Sequence, residues 1–247
     1  MSEKKRSQQD SARQSLAISN VPLSREFYLR DAVTVARALL GKRLVCRIPI
    51  RRMALIKQEM AEKTTSGIIV ETEAYAGWDD EACHSYKRKQ PSPKHRTNIM
   101  FAEGGLVYVY LIYGMYNCFN VVANVPGNPE AVLIRAIEPR EGIDVMQQRR
   151  QTRSEQKIKN KHLCSGPGKL CMAMGVTRDD YGKDLCGDEI FITEGIEVAP
   201  NEIAVTPRIN VDYAGDSAKL PYRFAIRDNP CLSTRKFIDP CKGNKSI

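Results

Sequence analysis

The sequence predicts an α+β fold: a single domain built on a mostly antiparallel, curved β-sheet, with surrounding helices and a protruding β-hairpin. Three observations carry this expectation. Apolar segments with helix or strand periodicity recur from Phe27 to Ile226 with no long linker between them, so one core is expected. Their order is helix, strands, hairpin, strand, helices and strands again, the pattern of a mixed α+β domain. No internal repeat or low-complexity tract interrupts it.

Composition narrows the function. The 247 residues are 42% hydrophobic and carry 38 Lys and Arg against 29 Asp and Glu, a formal net charge of +9. That balance favours a polyanionic partner, nucleic acid before membrane. No apolar run approaches the ~20 residues of a membrane span, and the N-terminus lacks a signal-peptide core. The cysteines (Cys46, Cys83, Cys118, Cys164, Cys171, Cys186, Cys231 and Cys241) form no C-x-x-C pair. They read as small buried hydrophobes of a reducing compartment. With only His84, His95 and His162, no His-rich metal cluster is expected.

The elements follow in order. Residues 1–20, rich in Ser, Gln, Lys and Arg, are expected to be a disordered tail; the domain spans 21–235, and 236–247 is a loose C-terminal tail. Asp31 is placed to cap a helix whose apolar face is Ala32, Val33, Val35, Ala36, Leu39 and Leu40, with Gly41 as its stop. Leu44–Ile48 reads as a short strand. Arg51–Thr65, basic and then amphipathic, reads as a long connection carrying a short helix.

Gly67 starts a strand through Ile68-Ile69-Val70. Alternation puts Glu71, Glu73 and Tyr75 on one face and Val70, Thr72 and Ala74 on the other. Two carboxylates roughly 6.5 Å apart along a strand raise each other's pKa, which suits a general base near neutral pH. Taken alone, the stretch fits two ion pairs with Arg or Lys on a solvated edge better. Asp79, Asp80 and Glu81 read as the capped, negative first turn of a short helix reaching His84. Tyr86–Arg96 holds Lys87, Arg88, Lys89, Lys94 and Arg96 without an acidic residue, either a solvated loop or one that tracks phosphates.

Leu106–Ile112 and Asn117–Val122 read as a hairpin, with Tyr108, Tyr110 and Ile112 on one face and Tyr113-Gly114-Met115-Tyr116 at its tip. Exposed, that tip is an apolar wedge of the kind driven between base steps; the alternative is a tip folded back over its core. Ala131–Ile137 is a strand interrupted by Arg135, which needs an anionic partner even if the pair is only structural. Glu141–Arg150 looks helical and Arg149–Lys161 is a second basic segment. Ser165-Gly166-Pro167-Gly168 opens a helix through Lys169, Leu170 and Met174, ended by Gly175. Such a start suits a phosphate, and equally an ordinary capped helix, and it lacks full phosphate-loop spacing. Further short strands are expected at Ile190–Ile192, Thr206–Val211 and Arg223–Ile226.

Over Phe27–Leu232 these residues resemble the alkyladenine (3-methyladenine, or methylpurine) DNA glycosylase family. The motifs are VARALLGKRLV at Val35–Val45, VETEAYAG at Val70–Gly77, HS at His84–Ser85 and MF at Met100–Phe101. VYVYLIYGMYNCFNVV at Val107–Val122, LIRAIEP at Leu133–Pro139 and LCSGPGKLC at Leu163–Cys171 complete them. Each alone is modest; all of them in order are specific.

The resemblance implies a monofunctional base-excision enzyme. It would flip a damaged purine of the 3-methyladenine, 7-methylguanine, hypoxanthine and ethenoadenine class from duplex DNA. Water activated by Glu73 would then hydrolyse the N-glycosidic bond and leave an abasic site. By motif position, Arg135 helps to place the water or the backbone near Glu73, Tyr75 and His84 contact the base from one side, and Tyr110 does so from the other. Asn120 lines the pocket and clashes with the 2-amino group of normal guanine, and Tyr113 fills the gap left in the duplex. Met115, Tyr116, Met100 and Lys169 are the further residues expected on DNA. The resemblance implies no metal; no cofactor, no membrane partner, a monomer and a nuclear location, within a reducing intracellular compartment, are the further expectations.

Two departures stand out. The chain is longer than the family pattern between His84 and Met100, so no residue from Tyr86 to Asn98 is assigned, and the Arg51–Thr65 connection is also long. The alternative function is a non-catalytic lesion- or RNA-binding module on the same fold, which has no use for the Glu73 carboxylate. A small-molecule hydrolase using Glu71 and Glu73 fits the basic charge and aromatic hairpin poorly. No lysine lies in the Glu73, Tyr75, His84 or Asn120 motifs, which favours direct hydrolysis over a lysine nucleophile.

Overall fold

The computed structural model describes residues 20–48, 63–151 and 157–234. The two expected tails, apart from residue 20, lie outside these residues, as do Arg51–Thr65 up to residue 62 and the 152–156 part of the second basic segment.

The chain forms α1 (Arg25–Tyr28), α2 (Ala32–Ala38), β1 (Arg43–Ile48), β2 (Lys63–Tyr75), β3 (Val107–Ile112) and β4 (Tyr116–Ala123). β5 (Glu130–Glu141), α3 (Ile143–Arg150), α4 (Pro167–Met174), β6 (Ile190–Thr193), β7 (Ile203–Thr206) and β8 (Arg223–Ile226) follow. The strands make one sheet in the order β3-β4-β5-β2-β1-β6, with β8 pairing to β2 and β7. Every pairing is antiparallel, so the α+β single domain with an open, curved sheet is as expected.

The helix signals act as read. The Asp31 carboxylate accepts from the Thr34 N–H at 2.9 Å and caps α2, which buries Ala32, Val35 and Ala36 against the sheet. Thr72 Oγ1 donates to the Ala36 carbonyl at 2.8 Å, locking helix to strand. Pro167 starts α4 and Gly175, left-handed at φ 72°, ends it, with Leu170, Cys171, Ala173 and Met174 buried. Gly168 lets α4 lie against the hairpin, since a Cβ there would stand 3.0 Å from the Tyr116 Cβ.

β2 organises the sheet. Its first half pairs with β1 and its second with β8, while β5 runs along its other edge. Two of the three register steps against β5 re-aim side chains near the middle of β2. Pairing passes from Ile69↔Ile137 to Glu71↔Ala136, skipping Val70, and then to Thr72↔Ile134, skipping Arg135. Such bulges turn a side chain out of strict alternation. Val70 therefore leaves the face of Thr72 and Ala74 and packs with Ala136, Ala225, Cys231 and Leu232 instead. Arg135 turns toward Glu71 and Glu73.

Two local expectations fail. Thr206 ends β7, because Pro207 has no N–H to continue the ladder, and residues 207–211 form a loop. The acidic trio opens no helix to His84; Gly77–Asp79 is one 3-10 turn. Asp80 instead draws the segment into turns by accepting from the Ala76 and Ala82 N–H groups at 3.0 and 3.1 Å.

Candidate active site

The end of β2, β5 up to its bulge at Arg135, the β3–β4 hairpin, the start of α4 and the 207–211 loop enclose a cleft of about 750 Å³. Behind its lining residues Tyr75 and Arg135 lies a buried charge network whose carboxylates do not themselves line the cleft. Glu71 and Glu73 are both fully buried. Arg135 bridges them, its Nε 3.1 Å from Glu71 Oε1 and its Nη1 3.1 Å from Glu73 Oε2. The expected bare carboxylate pair is therefore a Glu–Arg–Glu cluster in the interior, not two surface ion pairs.

The two carboxylates are not equivalent. Glu71 Oε1 accepts from Arg135, from Arg223 Nε at 2.8 Å and from Ser233 Oγ at 2.7 Å, and Oε2 accepts from the Ser233 N–H at 2.7 Å. Three of those donors crowd Oε1 and one reaches Oε2, and two of the residues that supply them, Arg223 and Ser233, do not line the cleft. Glu73 accepts three: Arg135, the Tyr75 hydroxyl at 2.9 Å and the Ile209 N–H at 2.8 Å. One acceptor site of about four remains on it. Arg135 and Tyr75, which hold the same Oε2, also line the cleft.

Aromatic rings form the walls. Burial, and then the Glu73 charge, holds the Tyr75 phenol well above its usual pKa, so it keeps the proton it donates. Burial, followed by the Arg96 and His95 charges, pushes His84 down to about 4, leaving a neutral imidazole at pH 7. Its Nδ1 sits 2.9 Å from the Tyr108 hydroxyl, and its ring meets Tyr110 edge-on at 4.6 Å and 76°. Asn120 lines the same cleft with its amide fixed, Nδ2 donating to the Tyr108 carbonyl at 3.0 Å and to that of Cys118 at 3.3 Å.

The mouth is apolar and basic. Tyr113 and Met115 at the hairpin tip are 75% and 66% exposed, and Tyr116 is 41% exposed, so the tip does not fold back on its core. Lys169, exposed at the start of α4, lies beside it. The cleft wall carries Arg96, Arg135, Arg150 and Lys169 and no carboxylate. Met100, expected on DNA, is 1% exposed; it packs with Cys83, Tyr108, Val122 and Ala131 and lines the cleft.

Sequence reasoning passed over four contributors. Arg96 lies in the unassigned loop and stacks 5.5 Å over the Tyr110 ring. The Ile209 amide and Arg208 fall in the stretch read as strand, and Asp80, the partner of Arg208, was read as a cap. The one available signal was Pro207, which argues against a strand there.

The sequence model of the family described as Methylpurine-DNA glycosylase (MPG) matches residues 26–230. A protein of Methanocella arvoryzae named "Putative 3-methyladenine DNA glycosylase" is 45% identical over 214 residues, covering 86% of this chain and 96% of the relative. Proteins of the same name from Clostridium novyi and Bacillus cytotoxicus are 43% and 42% identical, covering 86% and 84% of this chain and 98% and 97% of theirs. These relatives come from archaea and bacteria, cells without a nucleus, which overturns the expected nuclear location.

Proposed function

The chain belongs to the methylpurine-DNA glycosylase family, and on that footing we propose that its cleft excises alkylated or deaminated purines by direct hydrolysis. It is a DNA glycosylase of that family and acts on DNA. The observation that supports the finer reading is the join between two features. An aromatic cleft with a polar, hydrogen-bonded base opens beside an exposed Tyr113-Gly114-Met115-Tyr116 tip.

A base inside a duplex is out of reach, so the enzyme extrudes it and reads it in a pocket. Tyr113, with Met115 and Tyr116, would fill the vacated step while Tyr75, His84 and Tyr110 receive the base. Stacking is worth roughly 1–3 kcal/mol per base, and unstacking costs a few kcal/mol. Wedge and pocket together balance the flip best for a weakly paired lesion. Neutral His84 suits this role, since a cationic wall would repel an alkylated purine that carries positive charge.

Glu73 would use its remaining acceptor site as the general base, with Arg135 fixing the carboxylate and the water. The water oxygen bonds to C1′ of the sugar, and the C1′–N bond breaks with its electron pair leaving on the base. The water proton passes to Glu73. Glu71 anchors Arg135 and is otherwise held by Arg223 and Ser233, which do not line the cleft, so it is assigned no direct role in the chemistry. Asn120, held rigid by two carbonyls, would exclude the guanine 2-amino group.

The test is a duplex with one hypoxanthine or ethenoadenine, incubated with wild type or Glu73→Gln and then treated with alkali. Wild type should generate strand breaks. The variant should lose about 10²- to 10⁴-fold in rate, the scale of a general base, with binding largely kept. Equal cleavage by both proteins removes Glu73 from the mechanism, and a wild type that binds without cleaving turns the reading to a lesion binder.

A further inference from the structure

Beside the proposed base lies a second buried ion pair that belongs to none of the family motifs quoted above. Arg208 and Asp80 have side chains 0% and 2% exposed. Arg208 Nη1 donates to Asp80 Oδ2 at 2.5 Å and Nη2 to Asp80 Oδ1 at 2.8 Å, a two-pronged contact. The same nitrogens donate to the carbonyls of Ala74 and Ser217, each at 2.9 Å. The guanidinium lies between two rings, 4.9 Å from the centroid of Tyr75 and 5.3 Å from that of Tyr222.

Each end of this pair reaches the proposed site. Asp80 also accepts from the Ala76 and Ala82 amides, so it fixes the backbone that follows Tyr75 and precedes His84. On the other end, the residue after Arg208 is Ile209, whose N–H donates to Glu73 Oε1 at 2.8 Å. One bidentate contact thus sets both a ring of the aromatic wall and a donor to the carboxylate.

Stability alone explains the pair poorly. Two charges taken out of water lose most of what their attraction returns, and apolar packing holds a loop as well. Arg208 Nε is buried without a partner, so the guanidinium lies where the stack and the fork place it, at the expense of one donor. What a planar fork adds is fixed geometry.

We propose that Asp80 and Arg208 are a positioning pair for excision, holding the Tyr75 ring against the flipped base and aiming the Ile209 amide that orients Glu73. The pair does not touch the base, and its role rests on the glycosylase reading above.

The experiment compares wild type, Asp80→Asn, Tyr222→Leu and Tyr222→Phe on an ethenoadenine duplex with enzyme in excess. Under that condition the single-turnover rate constant does not depend on the folded fraction. Asp80→Asn should lower the rate constant about 10- to 100-fold, the scale of a misplacement near 1 Å. Tyr222→Leu, which removes one face of the stack, should lower it about threefold or more, with Tyr222→Phe at the wild-type rate. Duplex affinity, dominated by phosphate contacts, should stay within about threefold. The fluorescence of bound ethenoadenine should change in Asp80→Asn and Tyr222→Leu, because the ring beside it has moved. Tyr222 is only half-buried, so Tyr222→Leu carries the test even if Asp80→Asn fails to fold. Unchanged rate constants, or rate and affinity falling together, overturn the positioning role. A wild type that excises nothing refutes the glycosylase reading and the pair's role with it, whereas an active wild type with unaffected variants refutes the positioning role alone.

Discussion

At the scale of single residues, His84 carries the clearest pH signature. Burial, then the Arg96 and His95 charges, lower its pKa from 6.5 to about 4, so the folded protein holds it neutral. Unfolded, the same imidazole takes up a proton as pH falls through 6.5. The stability tied to neutral His84 is therefore complete above that pH and is lost as pH falls toward 4. The lowered value corresponds to at most about 3 kcal/mol. Denaturant unfolding at pH 7 and pH 4 should show wild type losing about 2–3 kcal/mol more than His84→Gln over that interval. Equal losses in the two proteins would show that the imidazole is not held neutral. Glu71 and Glu73 teach a related lesson. Their residue types and spacing announced a polar centre on β2, but which of them is held wholly by cleft-lining residues depended on partners from β5, β8 and the 207–211 loop.

At the scale of elements, the β3–β4 hairpin joins backbone strain to exposure. Tyr113 and Gly114 stand at φ 53° and 70°, closed by the Met115 N–H donating to the Ile112 carbonyl at 3.2 Å. A left-handed conformation costs a non-glycine residue about 1–2 kcal/mol, against about 0.5–1 kcal/mol of chain entropy lost by a glycine there. Tyr113→Gly should thus leave thermal unfolding unchanged or raise stability by up to about 1 kcal/mol. The same variant should bind a lesion duplex several-fold more weakly, with undamaged DNA less affected. Unchanged lesion capture in a titration would sink the wedge. The hairpin, the start of α2 and both ends of α4 were legible because their signals are local: Asp31, Pro167, Gly175 and an aromatic Y-G-M-Y tip; α2 itself ends at Ala38, short of the expected stop at Gly41. The bulges at Val70 and Arg135 were not, since both residues satisfy strand propensity or break it ambiguously and only the partner strand fixes the register.

At the scale of the whole molecule, charge was legible as a sum and illegible as a network. Asp80 meets Arg208 across 128 residues of chain and Glu71 meets Arg223 across 152, separations at which nothing in the local pattern names a partner. What the sum of +9 did convey was an anionic partner, and the fold gathers part of it at one place, with Arg96, Arg150 and Lys169 on a cleft wall free of carboxylates. Phosphate contacts made by these cations would release counterions, so affinity for duplex DNA should fall steeply with salt. Each contact contributes about 0.9 to the slope of log affinity against log salt. Lys169 is exposed beside the hairpin and outside the buried Glu–Arg–Glu cluster, so its loss should remove one phosphate contact and leave the chemistry intact. Lys169→Ala should lower the salt slope by about one and weaken damaged and undamaged duplexes by the same factor. Its single-turnover excision rate at saturating enzyme should equal that of wild type. A weakening confined to the damaged duplex would instead assign Lys169 to the flipped nucleotide and move the DNA backbone away from the start of α4.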